Sequence, residues 1–132
     1  MNTVANVTMT GESAIDNFGN SVSSAGDVNG DGYSDVIAGA REYSAGTGRA
    51  YILFGGASMN NIEDVTMTGD AGGNKFGTSV SSAGDLNGDG YSDVIVGADG
   101  YSSSTGRAYI FFGGASMNNA ADVTMTGEAT SN

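Results

Sequence analysis

Two loops of nine residues carry the side chains best suited to chemistry. Each loop has an oxygen-bearing side chain at its first, third, fifth and ninth positions, and a tyrosine at the seventh whose backbone carbonyl is available. The residues are Asp27, Asn29, Asp31, Tyr33 and Asp35 in the first loop and Asp85, Asn87, Asp89, Tyr91 and Asp93 in the second. Calcium takes about six to eight hard oxygen ligands. The pattern therefore predicts one calcium ion per loop, and two per chain.

A glycine stands at the sixth position of each loop, Gly32 in the first and Gly90 in the second. This is where the backbone must bend sharply so that alternate side chains turn to one side. Three converging carboxylates would repel one another by roughly 3 kcal/mol per pair at about 5 Å and an effective dielectric of about 20. We therefore expect calcium to organise the loop. Magnesium fits less well, because it demands tight octahedral geometry and keeps its waters.

Three other structures share part of this pattern. A stretch rich in Asp, Asn and Gly is typical of a solvated turn, although here it occurs twice in register. An EF-hand or a dockerin-like helical pair needs a bidentate glutamate at the twelfth loop position, where this chain has Ala38 and Val96. A parallel β-roll needs a nonapeptide period, whereas this chain repeats every 58 residues.

The loops belong to this internal repeat. Residues 1–58 match residues 59–116 at 40 of 58 positions without a gap, and residues 117–132 begin a third copy. The segment Val-Thr-Met-Thr-Gly consequently starts at positions 7, 65 and 123. A period of this length is typical of propellers and arrays, in which one unit cannot bury its faces without neighbours. We treat residues 1–132 as a single domain of two units.

Within one unit the local signals favour four short strands. They cover residues 20–26, 35–40, 49–54 and 64–68, which show period-two alternation or short apolar runs between Gly, Asn, Asp and Ser. No stretch has helical periodicity with cap signals, and each of the 23 glycines would cost roughly 1 kcal/mol inside a helix. The sequence therefore predicts an all-β fold with four antiparallel strands per unit, as in a propeller blade.

Composition excludes several classes of function. The chain has no histidine and no cysteine, which excludes Ser-His and Cys-His catalysis, disulfides and thiolate metal sites. The clustered carboxylates serve better as calcium ligands than as an acid/base pair, so we predict that the chain is not an enzyme. Its net charge of -11 predicts no binding to nucleic acid or to an anionic membrane. The first residues lack the features of a signal peptide, so an export signal would lie outside this sequence.

In these features the chain resembles the FG-GAP repeat of integrin α-subunit propellers and of related bacterial and lectin propellers. The resemblance rests on Phe18-Gly19 before the first strand, the Asp-x-Asn-x-Asp-Gly-x-x-Asp loop, and Gly39-Ala40 after the second strand, each present twice. It implies calcium ligation by the ten loop residues, with Tyr33 and Tyr91 acting through their carbonyls. It also implies an extracellular or cell-surface location and a structural role in adhesion. The family's proline after Gly-Ala is replaced by Arg41 and Asp99.

The number of blades leads to a further expectation. The resemblance implies about seven blades and propellers close with about four to eight, whereas this chain holds two units. Two blades alone would expose apolar faces with residues such as Val22, Ile37, Ile52 and Phe54. We therefore predict that identical chains associate head to tail into a closed ring, a homotrimer with six blades or a homotetramer with eight.

The third Val-Thr-Met-Thr segment makes one outer strand surplus in such a ring. Either Val4 to Thr10 or Asp122 to Thr126 then completes a blade, in cis or in trans, and the other frays. The closeness of the two units and the overhanging strand also lead us to expect an excised or engineered chain.

Differences between the two units indicate a second surface. Seven of the 18 mismatches lie at residues 12–17 and 20, and four at residues 41, 42, 45 and 46. In an up-and-down blade these connections share the face opposite the calcium loops. That face is the predicted ligand surface, with Tyr43 and Tyr101 contacting a glycan or a peptide; alternatively, the loops vary freely and the tyrosines serve in packing. A carbohydrate-binding, lectin-like propeller is therefore the alternative to a scaffold.

Overall fold

The computed structural model describes residues 4–128. Residues 1–3, which begin the predicted first repeat, and residues 129–132, which end the predicted third copy, lie outside the described residues. Within residues 4–128, eight strands and two short helical turns follow one another. They are β1 (Phe18–Gly26), β2 (Asp35–Ala40), α1 (Tyr43–Gly46), β3 (Arg49–Leu53), β4 (Val65–Thr68), β5 (Phe76–Gly84), β6 (Asp93–Ala98), α2 (Tyr101–Ser104), β7 (Arg107–Phe111) and β8 (Val123–Thr126).

The strands form two antiparallel four-stranded sheets, each with its strands in chain order. We call the sheet β1 to β4 blade 1 and the sheet β5 to β8 blade 2. The two sheets are consistent with two propeller blades, and the predicted all-β class is confirmed. No helix among the described residues has the length and apolar character needed to cross a membrane.

The first strand of each blade begins two residues earlier than the alternation predicts. Phe18 pairs with Ala40, and the register then shifts before Ser21 pairs with Gly39. Gly19 lies inside this bulge with a φ of 90°, a left-handed conformation that disfavours other residues. The Phe-Gly pair therefore marks an irregular strand start, and period-two alternation cannot reveal it.

A feature missing from the sequence prediction is the helical turn between the second and third strands. In α1, Ser44 and Ala45 both have positive φ, so the segment is a tight turn and not a regular helix. The Arg49 guanidinium lies 3.7 Å from the centre of the Tyr43 ring, and Arg107 stacks on Tyr101 at the same distance. These cation–π contacts join each turn to the strand that follows it.

The main core lies between the two blades. Ile37, Ile52 and Met67 of blade 1 are fully buried in one cluster with Phe76 and residues from the inner strands of blade 2. The expectation that Ile37 and Ile52 would lie on an exposed face was therefore wrong, because blade 2 covers them, whereas Val22 is exposed as expected. Burying side chains of this size stabilises the fold by about 1.5 to 3 kcal/mol each relative to leaving them exposed. The two blades thus share one buried core.

The blades approach closely because glycine lines the contact. A Cβ atom at Gly39 would lie 2.1 Å from the Gly77 carbonyl oxygen, and one at Gly48 would lie 2.0 Å from the Phe76 carbonyl oxygen. Two side-chain hydrogen bonds also cross the contact between the blades. Asn20 Nδ2 and Ser21 Oγ both donate to the Gly77 carbonyl oxygen, at 3.1 and 2.8 Å. Glycine is therefore required here for backbone contact.

The opposite face of blade 1 has its own smaller core. Ala40, Tyr51 and Leu53 are buried there, and Met9 and Phe18 pack against them. Met9 belongs to the segment that precedes β1. The chain thus covers part of this face itself.

Candidate calcium loops

The two predicted loops connect the first strand of each blade to the second. Residues 27–34 join β1 to β2, and residues 85–92 join β5 to β6. The ninth loop residue, Asp35 or Asp93, is the first residue of the following strand. The structure thus places all ten predicted ligand residues in two equivalent hairpin connections.

The first loop residue organises the bend. Asp27 accepts hydrogen bonds from the backbone N–H groups of Gly30 at 2.8 Å and Asp31 at 3.2 Å through Oδ1, and of Gly32 at 2.8 Å through Oδ2. Asp85 accepts three equivalent bonds at 2.9, 3.2 and 2.9 Å. The bond from the Gly90 N–H is the largest cause of a lowered pKa at Asp85, because it favours the ionised form.

The middle loop residues form short local turns. Asp31 Oδ1 accepts from the Tyr33 N–H at 2.9 Å, and Asp89 Oδ1 accepts from the Tyr91 N–H at 3.1 Å. Asn29 Oδ1 accepts from the Asp31 N–H at 3.3 Å, and Asn87 is exposed. Asp31 and Asp89 are exposed, and Asn29 is half-buried.

The ninth residue has a structural role that the sequence analysis missed. Asp35 is fully buried, and its two oxygens accept from the Val28 N–H at 2.8 Å and the Gly55 N–H at 2.9 Å. Asp93 is equally buried and binds the Leu86 and Gly113 N–H groups at 2.7 and 3.0 Å. Each carboxylate therefore ties the start of its loop to the connection that follows the third strand.

Burial also changes the acidity of Asp35. Desolvation raises the pKa of this carboxyl above its usual value, and the hydrogen bonds from Gly55 and Val28 oppose that rise. The negative charges of Asp31 and Asp27 raise it further. A cation in the loop would reverse these charge effects.

In the conformation described, the acidic side chains are directed at backbone N–H groups. Within residues 4–128 no three side chains of the Asp, Glu, His or Cys type form a group that could hold a metal ion. The donor set nevertheless fits calcium in its chemistry, because carboxylates, an amide oxygen and a carbonyl are all hard oxygen ligands. Gly32 and Gly90 also take the bend that the spacing requires, with φ of 88° and 91°.

The first loop takes part in the contact between the blades. The Ser92 N–H donates to the Asp27 carbonyl oxygen at 3.0 Å, and the Gly114 N–H donates to the Val28 carbonyl oxygen at 2.8 Å. The Tyr91 ring covers Gly30, where a Cβ atom would lie 2.6 Å from Cε1. Loop conformation and blade packing are therefore linked. The sequence analysis missed this link; the apolar residue at the second loop position, Val28, which is buried, is the feature that could have indicated it.

The tyrosines of the predicted ligand surface have partners inside their own blades. Tyr43 and Tyr101 are half-buried, and each lies under an arginine as described above. Arg49 also binds the carboxylate of Glu12 at 3.1 Å. The structure thus gives both rings a packing role.

Comparisons of the sequence with known proteins match the segments that form the two blades. The FG-GAP repeat family matches residues 18–53 and 76–111, which run from the first strand to the third strand of each blade. Integrin alpha-5 of Xenopus laevis is 36% identical over 112 residues, and integrin alpha-6 of Gallus gallus is 38% identical over 110 residues. Integrin alpha-PS2 of Drosophila melanogaster is 36% identical over 118 residues.

These alignments cover 78 to 80% of this chain but only 8 to 11% of each integrin. The chain therefore spans about a tenth of the length of the relatives it matches. The match includes both glycine-rich strand starts and both acidic loops. The chain belongs to the FG-GAP repeat family, and it carries two of these repeats.

Proposed function

We propose that this chain is a calcium-binding, non-catalytic structural module of an integrin-like adhesion propeller that acts outside the cell or at the cell surface. The observation that carries the proposal is the pair of equivalent hairpin loops, each with three carboxylates, one amide and one available carbonyl. The similarity to integrin α chains supports the adhesive role and the location.

Each loop would hold one calcium ion. In the first loop the ligands are the side chains of Asp27, Asn29, Asp31 and Asp35 and the Tyr33 carbonyl. The ligands in the second loop are Asp85, Asn87, Asp89, the Tyr91 carbonyl and Asp93. The ion supplies positive charge that removes the repulsion among the carboxylates. Because the Asp27 and Val28 carbonyls accept hydrogen bonds from blade 2, an ordered loop also strengthens the contact between blades.

The expected affinity is that of extracellular calcium modules, with Kd on the order of 0.1 to 1 mM. At about 1 mM calcium each site then stabilises the fold by roughly 0.4 to 1.4 kcal/mol. An isothermal calcium titration tests this proposal. We expect two ions per chain for the native sequence and a loss of both for the double variant Asp31→Asn/Asp89→Asn.

A matched control removes the same charge elsewhere. The double variant Glu63→Gln/Asp99→Asn alters two exposed acidic residues outside the loops and should still bind two ions. If the loop variant and the control bind calcium equally, the ion is not held by the loops and the proposal is wrong.

The second part of the proposal is that chains associate head to tail. Residues that are buried in blade 1 by its contact with blade 2 have open equivalents in blade 2. Val28 and Ile37 are 0% exposed, whereas their counterparts are more open: Leu86 is 53% exposed and Ile95 is half-buried. Blade 2 thus presents the apolar face that blade 1 buries.

Blade 1 presents the surface that complements this face. Val22 is 68% exposed, whereas its equivalent Val80 is half-buried against blade 1. Tyr33 is also exposed, whereas Tyr91 packs on Gly30. In a second copy Tyr33 would pack on Gly88, where a Cβ atom would have no neighbour within 4 Å. Three chains in such a ring supply six blades, and four supply eight.

Sedimentation velocity of two variants tests the association. Leu86→Asp places a charge on the open face of blade 2 and should leave monomers. Ile62→Asp is the control variant. Ile62 lies in blade 1 and is 63% exposed even though blade 2 packs against that blade, so this position is outside the contact between neighbouring blades. The Ile62→Asp variant should therefore assemble like the native chain. Equal sedimentation of the two variants would contradict the proposed interface.

The scaffold role is preferred over carbohydrate binding because Tyr43 and Tyr101 are engaged by Arg49 and Arg107. A glycan array on the assembled protein separates these two functions. A scaffold shows no saturable binding, whereas a lectin-like propeller binds a defined set of sugars.

A further inference from the structure

We propose that copies of this chain exchange strands, with residues 7–10 of one copy pairing with β7 of the next and displacing β8. The inference rests on the head-to-tail association proposed above. It names the segment by which the second copy is joined.

The first observation is a repeated contact. Residues 8–12, which precede β1, contact blade 1 in the same way as residues 66–70, which include the end of β4, contact blade 2. Asn61 Nδ2 donates to the Thr8 carbonyl oxygen at 3.2 Å, and Asn119 Nδ2 donates to the Thr66 carbonyl oxygen at 3.2 Å. Each pair is separated by 53 residues. Thr8 thus occupies on blade 1 the position that Thr66 occupies on blade 2.

Two further contacts repeat in the same way. A Cβ atom at Gly11 would lie 2.7 Å from Phe18 Cβ, and one at Gly69 would lie 2.7 Å from Phe76 Cβ. Glu12 forms an ion pair with Arg49 at 3.1 Å, and the equivalent Asp70 approaches Arg107 at 3.7 Å. The whole segment from Thr8 to Glu12 is therefore docked as a fourth strand would be.

The second observation is that this docked segment has no strand beside it. In β4 the sequence Val-Thr-Met-Thr pairs with β3 over four residues, from Arg49 opposite Thr68 to Ile52 opposite Val65. The same four residue types at positions 7–10 form no strand within residues 4–128. Residues 7–10 therefore lie where the fourth strand of a neighbouring blade would lie, but the third strand with which such a strand pairs is not there. β7 of a second copy supplies this third strand.

The register of the exchange follows from the repeat. Thr126, Met125, Thr124 and Val123 of β8 lie opposite Arg107, Ala108, Tyr109 and Ile110 of β7. Residues 10, 9, 8 and 7 of the second copy would take these places in the same order. Because the four residue types are identical, β7 keeps the same cross-strand pairs.

The exchange is favoured over retention of β8 by the contacts that the docked segment makes with blade 1. The two strands compete for one place, so keeping β8 would detach the docked segment from blade 1. That would remove Met9 from the small core of blade 1, break the hydrogen bond from Asn61 to Thr8, and separate Glu12 from Arg49. Releasing β8 costs less, because all four of its residues are exposed.

A reversible lock on β8 tests the exchange. Ile110 and Val123 are directly opposite partners, so the variant Ile110→Cys/Val123→Cys brings two thiols within disulfide reach, and the full chain has no other cysteine. The oxidised variant cannot release β8 and should sediment as a monomer. The reduced variant is the matched control and should assemble at three to four times the mass of one chain.

The outcomes separate the exchange from the association on which it rests. Assembly of both the oxidised and the reduced forms overturns the exchange and leaves head-to-tail association standing. A native chain that is monomeric in calcium overturns the association, and the exchange with it.

A second variant keeps the exchange testable if the first assembles poorly when reduced. Val7→Cys/Ile110→Cys places the two thiols opposite each other only across two copies. Oxidation should give covalent dimers and higher species on a non-reducing gel, which neither single variant reproduces. Absence of a ladder beyond that of the single variants overturns the exchange.

Discussion

The buried carboxylate at the end of each loop gives the sharpest test of which loop residues stabilise the fold and which serve mainly to bind calcium. Asp35 accepts two buried backbone N–H groups, at 2.8 and 2.9 Å, through separate oxygens. Asparagine has the same shape, but one of its two terminal groups is an N–H₂ donor. The variant Asp35→Asn therefore leaves one buried N–H group facing another donor.

A buried donor without a partner costs about 1 to 3 kcal/mol, so we expect Asp35→Asn to lower the free energy of unfolding by about 2 kcal/mol in chelator. Asp31→Asn is the comparison variant, because Asp31 is exposed and an amide oxygen can still accept from the Tyr33 N–H. Without calcium it should change the free energy of unfolding by less than about 0.5 kcal/mol. With calcium it should lose most of the stabilisation from the first site.

Urea unfolding followed by tyrosine fluorescence, in chelator and at about 1 mM calcium, measures both effects. The reasoning would be refuted if Asp35→Asn cost less than about 0.5 kcal/mol in chelator, or if Asp31→Asn were as costly there as Asp35→Asn. Asp93→Asn should repeat the result, since its carboxylate binds two buried N–H groups in the same way.

Gly39→Ala should destabilise the chain by about 3 kcal/mol or more, because its Cβ would lie 2.1 Å from the Gly77 carbonyl oxygen. The equivalent Gly97→Ala meets a rotatable serine side chain and no backbone, so thermal unfolding of monomers in chelator should rank it well above Gly39→Ala. Burial, as the largest cause, raises the pKa of Tyr51 and of Tyr109 to about 12 from 10. Their contribution to stability is complete below pH 10 and is lost as the pH rises to about 12. Unfolding free energy measured over this range should fall by about 1.4 kcal/mol per pH unit for each tyrosine, and Tyr51→Phe/Tyr109→Phe should remove the fall.

The repeat and the alternation of short strands were sufficient to predict the architecture. The predicted strand over residues 35–40 has the bounds of β2, and the four strands of the unit appear in order. These features depend on local patterns of apolar and turn residues, which the chain shows twice. The bulge at Gly19 was missed because it breaks the period-two alternation. The turn over Tyr43–Gly46 was missed because positive φ at serine and alanine has no compositional signature.

The spacing of the loop residues was sufficient to identify them, but not to predict which of them hold the backbone and which are exposed. The sequence does not show whether an aspartate side chain is exposed, like Asp31, or buried, like Asp35. Which aspartate holds backbone N–H groups depends on Gly55, which lies 20 residues away along the chain. Contacts at such separation, and the docking of residues before β1 on blade 1, become visible only when the strands are placed side by side.

Calcium-linked assembly of the two-blade chain is the central claim, and light scattering on a sizing column measures it most directly. The chain is run once in millimolar calcium and once in excess chelator. We predict a mass of three or four times 13.1 kDa in calcium that falls in chelator. A monomer whose mass is the same in both buffers would contradict the account.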